Sequence, residues 1–306
     1  MKKYIKLLIV FASAALLASC SMFKLDNYDG PNAKIYGQIL DVKTGEPLGI
    51  EATYSSELDL ATLFASGFSI WQYITVSKGA LVVNELGWKD ASGKDVYEDQ
   101  RWSVRFDGSY RNNLIFAADY NAFFKELPCY ELDNPKFTAN KGETKVDFQV
   151  VPFCRVFDET FSYDEANKQI VAKFKVELGD AAKACYILNL NLCANTQVFV
   201  GANYYNLVQY GNNGDAGAAK QGQDWSAYGG PIIPACNSGD EITLRLNCDP
   251  AGPNAELFKY TRERYIRIGA QAGGNGYNGN SFYNFSKTYK VSADFKTITP
   301  VEWPAL

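Results

Sequence analysis

Apolar and polar residues alternate along most of this chain in short runs, each ended by Gly, Asn or Pro. Lys34-Ile35-Tyr36-Gly37-Gln38-Ile39-Leu40 is the first such run, and Thr44-Gly45 with Pro47 turns the chain after it. Leu81 to Leu86 and Trp102 to Phe106 follow, and Asp107-Gly108 signals a tight hairpin into Ser109-Tyr110-Arg111. Lys145 to Val150 places Val146, Phe148 and Val150 on one face. The pattern restarts at Val151-Pro152-Phe153. Beyond it, Ile170, Ala172, Phe174 and Val176 alternate with Val171, Lys173, Lys175 and Glu177. Ile242, Leu244, Leu246 and Cys248 alternate with Thr243, Arg245 and Asn247, the period of a half-buried antiparallel strand. Tyr186 to Leu192, Tyr265 to Ile268 and Thr288 to Val291 add three more strands. One stretch has helical spacing: Leu58, Ala61, Leu63 and Phe64 before Gly67 predict a short helix over residues 55–66. The whole predicts an all-β protein of two β-sandwich domains in series, over residues 34–151 and 152–306.

Two segments break the rhythm. Gly201 to Gly230 and Gly269 to Ser281 are rich in Gly and Asn and read as long loops, which in compact domains tend to carry function. Within the second, Gly274-Asn275-Gly276-Tyr277-Asn278-Gly279 matches the spacing of a dinucleotide-binding turn. That chemistry needs a helix opening at the last glycine, whose amides meet the pyrophosphate. Ser281-Phe282-Tyr283-Asn284-Phe285 has strand character instead, so the match is set aside.

The N-terminus follows a different rule. Lys2, Lys3 and Lys6 precede an apolar run from Leu7 to Leu17, and Leu17-Ala18-Ser19 then leads to Cys20. A basic start, a short apolar run and small residues describe a secretory signal over residues 1–19, too short to span a bilayer stably. The cysteine directly after it resembles the bacterial lipobox, which implies lipidation of Cys20 and a membrane anchor made of acyl chains. Residues 20–33 are then a tether into the first strand.

Composition narrows the chemistry. Hydrophobic residues at 47% and charged residues at 21% are globular values, and 20 Tyr, 19 Phe and 5 Trp make the chain rich in aromatics. A net charge of -4 with no cluster of Lys and Arg argues against nucleic acid as a partner. There is no histidine. This removes Ser-His-Asp and Cys-His catalysis and nearly all His-based zinc sites. Among enzymes, a carboxylate-pair glycosidase is what survives, with scattered Asp and Glu as its sole support. Apart from Cys20, six cysteines remain: Cys129, Cys154, Cys185, Cys193, Cys236 and Cys248. They permit 15 full pairings in an exported chain. Cys185 and Cys193 bracket one predicted strand of about 26 Å, too far apart for a disulfide. No close pair suggests a metal cluster, and buried free thiols are the simplest reading. The expectation is no enzyme activity, no cofactor and no metal.

Asp26-Asn27-Tyr28-Asp29-Gly30-Pro31-Asn32-Ala33 running into Ile35-Tyr36-Gly37-Gln38-Ile39, with Thr44-Gly45-Glu46-Pro47-Leu48, resembles a family of Bacteroidetes lipoproteins known as domain of unknown function 3823. Glu85-Leu86-Gly87-Trp88, Phe106 to Asn112 and Val151 to Val156 extend the resemblance over most of residues 26–156. Residues 55–80 stand out as an insertion, and Ala118-Asp119-Tyr120 replaces a Gly-x-Tyr usual in related domains. The resemblance implies a carboxypeptidase regulatory-like, transthyretin-type sandwich followed by an immunoglobulin-like one. It also implies an outer-membrane, cell-surface lipoprotein (thus carrying palmitate or a similar acyl chain) that assists a SusC/SusD-type transporter in polysaccharide utilisation.

The leading functional expectation is carbohydrate binding. Sugar rings pack their C–H faces on flat aromatic side chains while amides and carboxylates bond the hydroxyls. The candidate residues are Tyr204, Tyr205, Tyr210, Trp225 and Tyr228 in the first long loop and Tyr277 in the second. The alternative is a structural, fimbrillin-like subunit or a transporter-docking protein without glycan binding. A fimbrillin needs cleavage after an early strand to free an edge for strand exchange. Lys24 is the only basic residue between Cys20 and Lys34, and it precedes every predicted strand.

Overall fold

The computed structural model describes residues 30–51, 53–54, 77–133, 135–180, 182, 185–201, 208–210, 239, 241–252, 254–274 and 282–304. Strand β1 (Ala33–Asp41) alternates buried and open positions along its length, with Ile35 and Ile39 fully covered. It pairs antiparallel with β6 (Ser109–Ile115) and parallel with β9 (Gly142–Lys145) and β10 (Phe148–Val150). Facing this sheet is a second one in the order β5 (Gln100–Ser103), β4 (Ala80–Glu85), β7 (Asp119–Phe123), β8 (Lys136–Thr138). Ile35, Ile39, Tyr110, Phe148 and Val150 from the first sheet meet Leu81, Val83, Trp102, Tyr120 and Ala122 from the second in one apolar core. Tyr120 is fully buried and its hydroxyl donates to the Phe116 carbonyl at 2.9 Å, which pins the corner between β6 and β7. A two-stranded ladder of β2 (Thr53–Tyr54) and β3 (Ser77–Lys78) flanks the segment expected to hold a short helix. That helix, at residues 55–66, lies outside the described residues.

The turn at Asp107-Gly108 forms as the sequence expects, with Gly108 at φ +76 and its amide donating to Arg105 at 2.9 Å. Its arms do not remain a hairpin. After one bridge, Val104 to Tyr110, β5 joins β4 while β6 joins β1. The turn therefore carries the chain between the two sheets, because Trp102 and Tyr110 must both enter the same core from opposite walls.

The second core lies between a sheet of β11 (Cys154–Asp164), β12 (Gln169–Leu178) and β15 (Glu241–Asn247) and a larger one. The larger sheet runs β14 (Val208–Tyr210), β13 (Cys185–Asn195), β16 (Arg264–Gly274), β18 (Tyr289–Val291), β19 (Ile298–Pro300), with β17 (Tyr283–Phe285) also on β16. The alternating residues read from sequence point inward: Ile170, Ala172, Phe174 and Val176 from β12, and Ile242, Leu244 and Leu246 from β15. They pack on Ile187, Leu190, Leu192, Ile266, Ile268 and Ala270. A four-residue helix, α1 (Ala255–Phe258), seals one end with Leu257 and Phe258.

Both long loops are shorter than their composition suggests. Val208 to Tyr210 pairs with Asn191 to Cys193. Residues 269–274 continue β16 and pair with β13. Gly269 reads as a loop residue yet is there for space: a Cβ on it would lie 2.7 Å from the Phe285 ring. Cys129, Cys154, Cys193 and Cys248 are buried free thiols.

Candidate functional site

The two cores meet across a polar and aromatic junction. Arg155, at the start of β11, reaches back to Asp41 at the end of β1, with Nε 2.5 Å and Nη2 2.8 Å from the two carboxylate oxygens. Arg267 on β16 is also buried. Its guanidinium donates to the carbonyls of Ser286 (2.9 Å), Ile50 (3.0 Å) and Phe106 (2.8 Å), and it stacks 4.4 Å from the Phe285 ring centre. Burial pulls its pKa down to about 10, against the opposing fields of Glu51 and Cys193. Asn284 adds a third crossing, donating to the Pro128 carbonyl at 2.9 Å and accepting from the Cys154 amide at 3.2 Å.

Along one side of this junction the chain end, Val301 to Pro304, runs back from β19 over the first sandwich. Trp303 there is half-buried and lies 6.0 Å from Phe199, itself 44% exposed, ring centre to ring centre. Phe199 in turn leans on Phe106 at 5.4 Å, and Phe106 sits over Arg267 at 5.7 Å. Arg105 lies 5.9 Å over the Trp303 ring and donates to the Pro304 carbonyl at 3.3 Å. Three depressions open around Trp303. One of about 420 Å³ runs along the junction past Gln38, Asp107, Thr288 and Glu302. One of about 470 Å³ lies between Phe199, Tyr265 and Trp303. The third, about 300 Å³, is lined by Tyr36, Gln38, Asp107 and Trp303. Volumes of this size are typical of small-ligand clefts.

The polar groups in these walls are of two kinds. The lysines are each held by a carboxylate: Lys287 by Glu46 (2.9 Å), Lys145 by Asp147 (2.8 Å) and Lys290 by Glu263 (2.6 Å). The Thr288 hydroxyl, by contrast, is buried without a hydrogen-bond partner among the described residues. Buried polar atoms are rarely left so, and each one asks for an explanation. The arrangement can stack a ring on an aromatic surface and bond neutral hydroxyls around it. Among the described residues, no group of three or more His, Cys, Asp or Glu stands where it could hold a metal.

Of the residues expected from sequence, Tyr210 closes β14 and its backbone is opposite Asn191. Cys20, Tyr204, Tyr205, Trp225, Tyr228 and Tyr277 lie outside the described residues. The first expected loop does start at this surface: Gly201, two residues after Phe199, passes so close to Glu51 that a Cβ would meet its carboxylate at 2.2 Å. Trp303, Phe199 and Arg105 were not singled out in the sequence. Trp303 is a lone aromatic next to a proline after the last strand, and only this position hinted that it is not a core residue. A second exposed aromatic, Trp88, is 53% open beside Val96 and Glu98, on the excursion between β4 and β5.

No family profile and no curated protein matches the sequence. Solved structures do. A protein from Bacteroides uniformis described as "a putative carbohydrate binding protein" superposes with a TM-score of 0.60 at 25% identity, over 86% of this chain and 100% of its own. A DUF3823 family protein from Bacteroides ovatus matches at TM-score 0.53 and 16% identity, over 86% and 100%. Another from Parabacteroides merdae matches at 0.54 and 16%, over 86% and 99%. The resemblance carried by residues 26–156 is thus met at the level of the whole fold, and the protein has the all-β, two-sandwich architecture of the DUF3823 family.

Proposed function

We propose that this chain is a DUF3823-type lipoprotein, non-enzymatic and anchored to the outer membrane through Cys20, that binds polysaccharide for a SusC/SusD-type uptake system. The surface assigned to the sugar is the Phe199–Trp303 pair with its cleft. The observation that carries the reading is this partly open aromatic pair, bordered by Gln38, Asp107 and Glu302. A sugar offers an apolar C–H face and a rim of hydroxyls, and the site offers the complement of both. Because the bordering lysines are already paired, a neutral glycan suits it better than a polyanion. The carbohydrate-binding description of the Bacteroides uniformis structure supports the ligand class. Tyr204, Tyr205, Trp225 and Tyr228, which follow Phe199 in the chain, remain the sequence candidates for the same chemistry.

The test is an affinity-gel and glycan-array screen of the mature chain together with Trp303→Ala and Trp225→Ala. Loss of one stacked indole removes about 1.5–3 kcal/mol of apolar burial, a tenfold or greater drop in affinity. Retention of one polysaccharide class, weakened by Trp303→Ala with the melting temperature unchanged, supports the site. Retention weakened by Trp225→Ala alone moves it to the loop. No retention by any glycan leaves a docking or structural role.

A further inference from the structure

The end of the first sandwich where the tether enters carries the most exposed large apolar residue among those described. Leu114 is 76% exposed and Phe116 is 37% exposed, and they flank Ile115, which is buried. Phe116 follows directly on the end of β6, so the two exposed side chains bracket its last residue. Their backbone is fixed. The Asn32 amide donates to the Ile115 carbonyl at 3.1 Å, the Asn32 side chain accepts from the Ala117 amide at 2.9 Å, and the Phe116 carbonyl accepts from Tyr120. Ile115 and Ala117, the neighbours of the apolar pair, are therefore bonded directly to Asn32 among the first described residues. Lys141, bridged to Ala33, adds a cation beside it, while Glu143 nearby is taken up by Arg111 at 2.8 Å.

Cys20 is separated from Gly30 by residues 21–29, and a chain of that length reaches about 33–36 Å at full extension. This edge is where the tether joins the described fold, so it lies within that reach of the anchor. We propose that Leu114 and Phe116 insert into the lipid surface at the anchor and fix the protein's orientation on the membrane. The proposal rests on lipidation of Cys20 as read above. The acyl chains supply the binding. Since the tether already holds the edge at high effective concentration, two apolar side chains suffice to choose one face. The consequence concerns the Trp303 cleft. It borders Gln38 and Ser109, while the apolar pair borders Ala33 and Ile115, so the two lie at opposite ends of the β1–β6 ladder. The cleft reaches along β1 as far as Tyr36, three residues or about 10 Å from Ala33, and opens toward Gln38 and Ser109 at the far end of the ladder from the lipid-facing pair.

The test uses the full lipidated chain in phospholipid vesicles with brominated acyl chains. A polarity-sensitive fluorophore is attached at Leu114→Cys or, as the distal control, at Thr44→Cys in the turn at the far end of β1, with the wild-type chain reporting background labelling. The expected result is a blue shift and several-fold stronger quenching at position 114 than at 44. Placing the label at Asn113→Cys and adding Leu114→Asp with Phe116→Asp should abolish the quenching while the protein still floats with the vesicles. Flotation with equal or absent quenching at both positions overturns the assigned face and leaves the anchor intact. Failure of the protein to float at all overturns the anchor and the face with it.

Discussion

Arg155 and Asp41 offer the sharpest test of how the two cores are joined. Their side chains are 7% and 8% exposed, and the guanidinium meets both carboxylate oxygens, at 2.5 and 2.8 Å. Asp41 also accepts from the Lys43 amide at 2.9 Å, while Arg155 reaches Glu177 and the Gly179 carbonyl at 3.3 Å. Removing one partner leaves the other charge buried and incompletely paired, which costs about 3–5 kcal/mol in comparable buried pairs. Asp41→Ala and Arg155→Ala should each fall in that range, a large part of an ordinary domain's stability of about 5–15 kcal/mol. Replacing both together, Asp41→Ala with Arg155→Ala, removes the two charges at once and should cost far less than the sum. The coupling energy is then at least about 2 kcal/mol. The assay is urea denaturation followed by tryptophan fluorescence and far-ultraviolet circular dichroism, for the four proteins of the cycle. At 1 M salt the coupling should persist, because screening acts weakly on buried pairs. If Asp41→Ala costs less than about 1 kcal/mol and the coupling lies below about 0.5 kcal/mol, the pair behaves as an exposed ion pair and the reasoning fails. The cores would then be held by Arg267 and Asn284.

Two further outcomes follow from the packing. A Cβ on Gly37 would stand 1.6 Å from the Val146 carbonyl oxygen and 3.1 Å from the Tyr110 hydroxyl. Gly37→Ala should therefore cost more than the roughly 1–3 kcal/mol typical of overpacking, read as a lower urea midpoint; an unchanged midpoint would show that β9 and β10 are not held against β1. Burial raises the Cys248 thiol from an ordinary 9.0 to about 12, and burial likewise pushes Cys129 well up. The folded chain keeps these protons where the unfolded chain gives them up, so stability present below pH 9 should fall as pH rises from 9.0 toward 12. Denaturation midpoints across that range check the slope, and Cys248→Ala should flatten it.

The strands were legible because their signal is local. Ile170, Ala172, Phe174 and Val176 face inward whatever sheet covers them, since the period of two is a property of the strand itself. Less legible were places where a residue serves a distant one. Gly269 looked like a loop and is a strand residue under the Phe285 ring, and the Asp107-Gly108 turn looked like a hairpin but divides its arms between two sheets. The candidate site shows the same limit. Arg105, Phe199 and Trp303 lie far apart in the chain and meet because the chain end runs back over the first sandwich.

The sequence by itself determined the all-β class, the inward faces of the strands and the absence of histidine chemistry. Each of these depends on composition or on residues within a few positions of one another. Only the tertiary structure decided which strands pair, that Arg155 finds Asp41 across 114 residues, and that Arg267 caps Ile50 across 217. The physical reason is that alternation fixes which face is buried and not what buries it. An arginine, a tryptophan or a leucine on an outward position acquires its role from whatever the fold places against it.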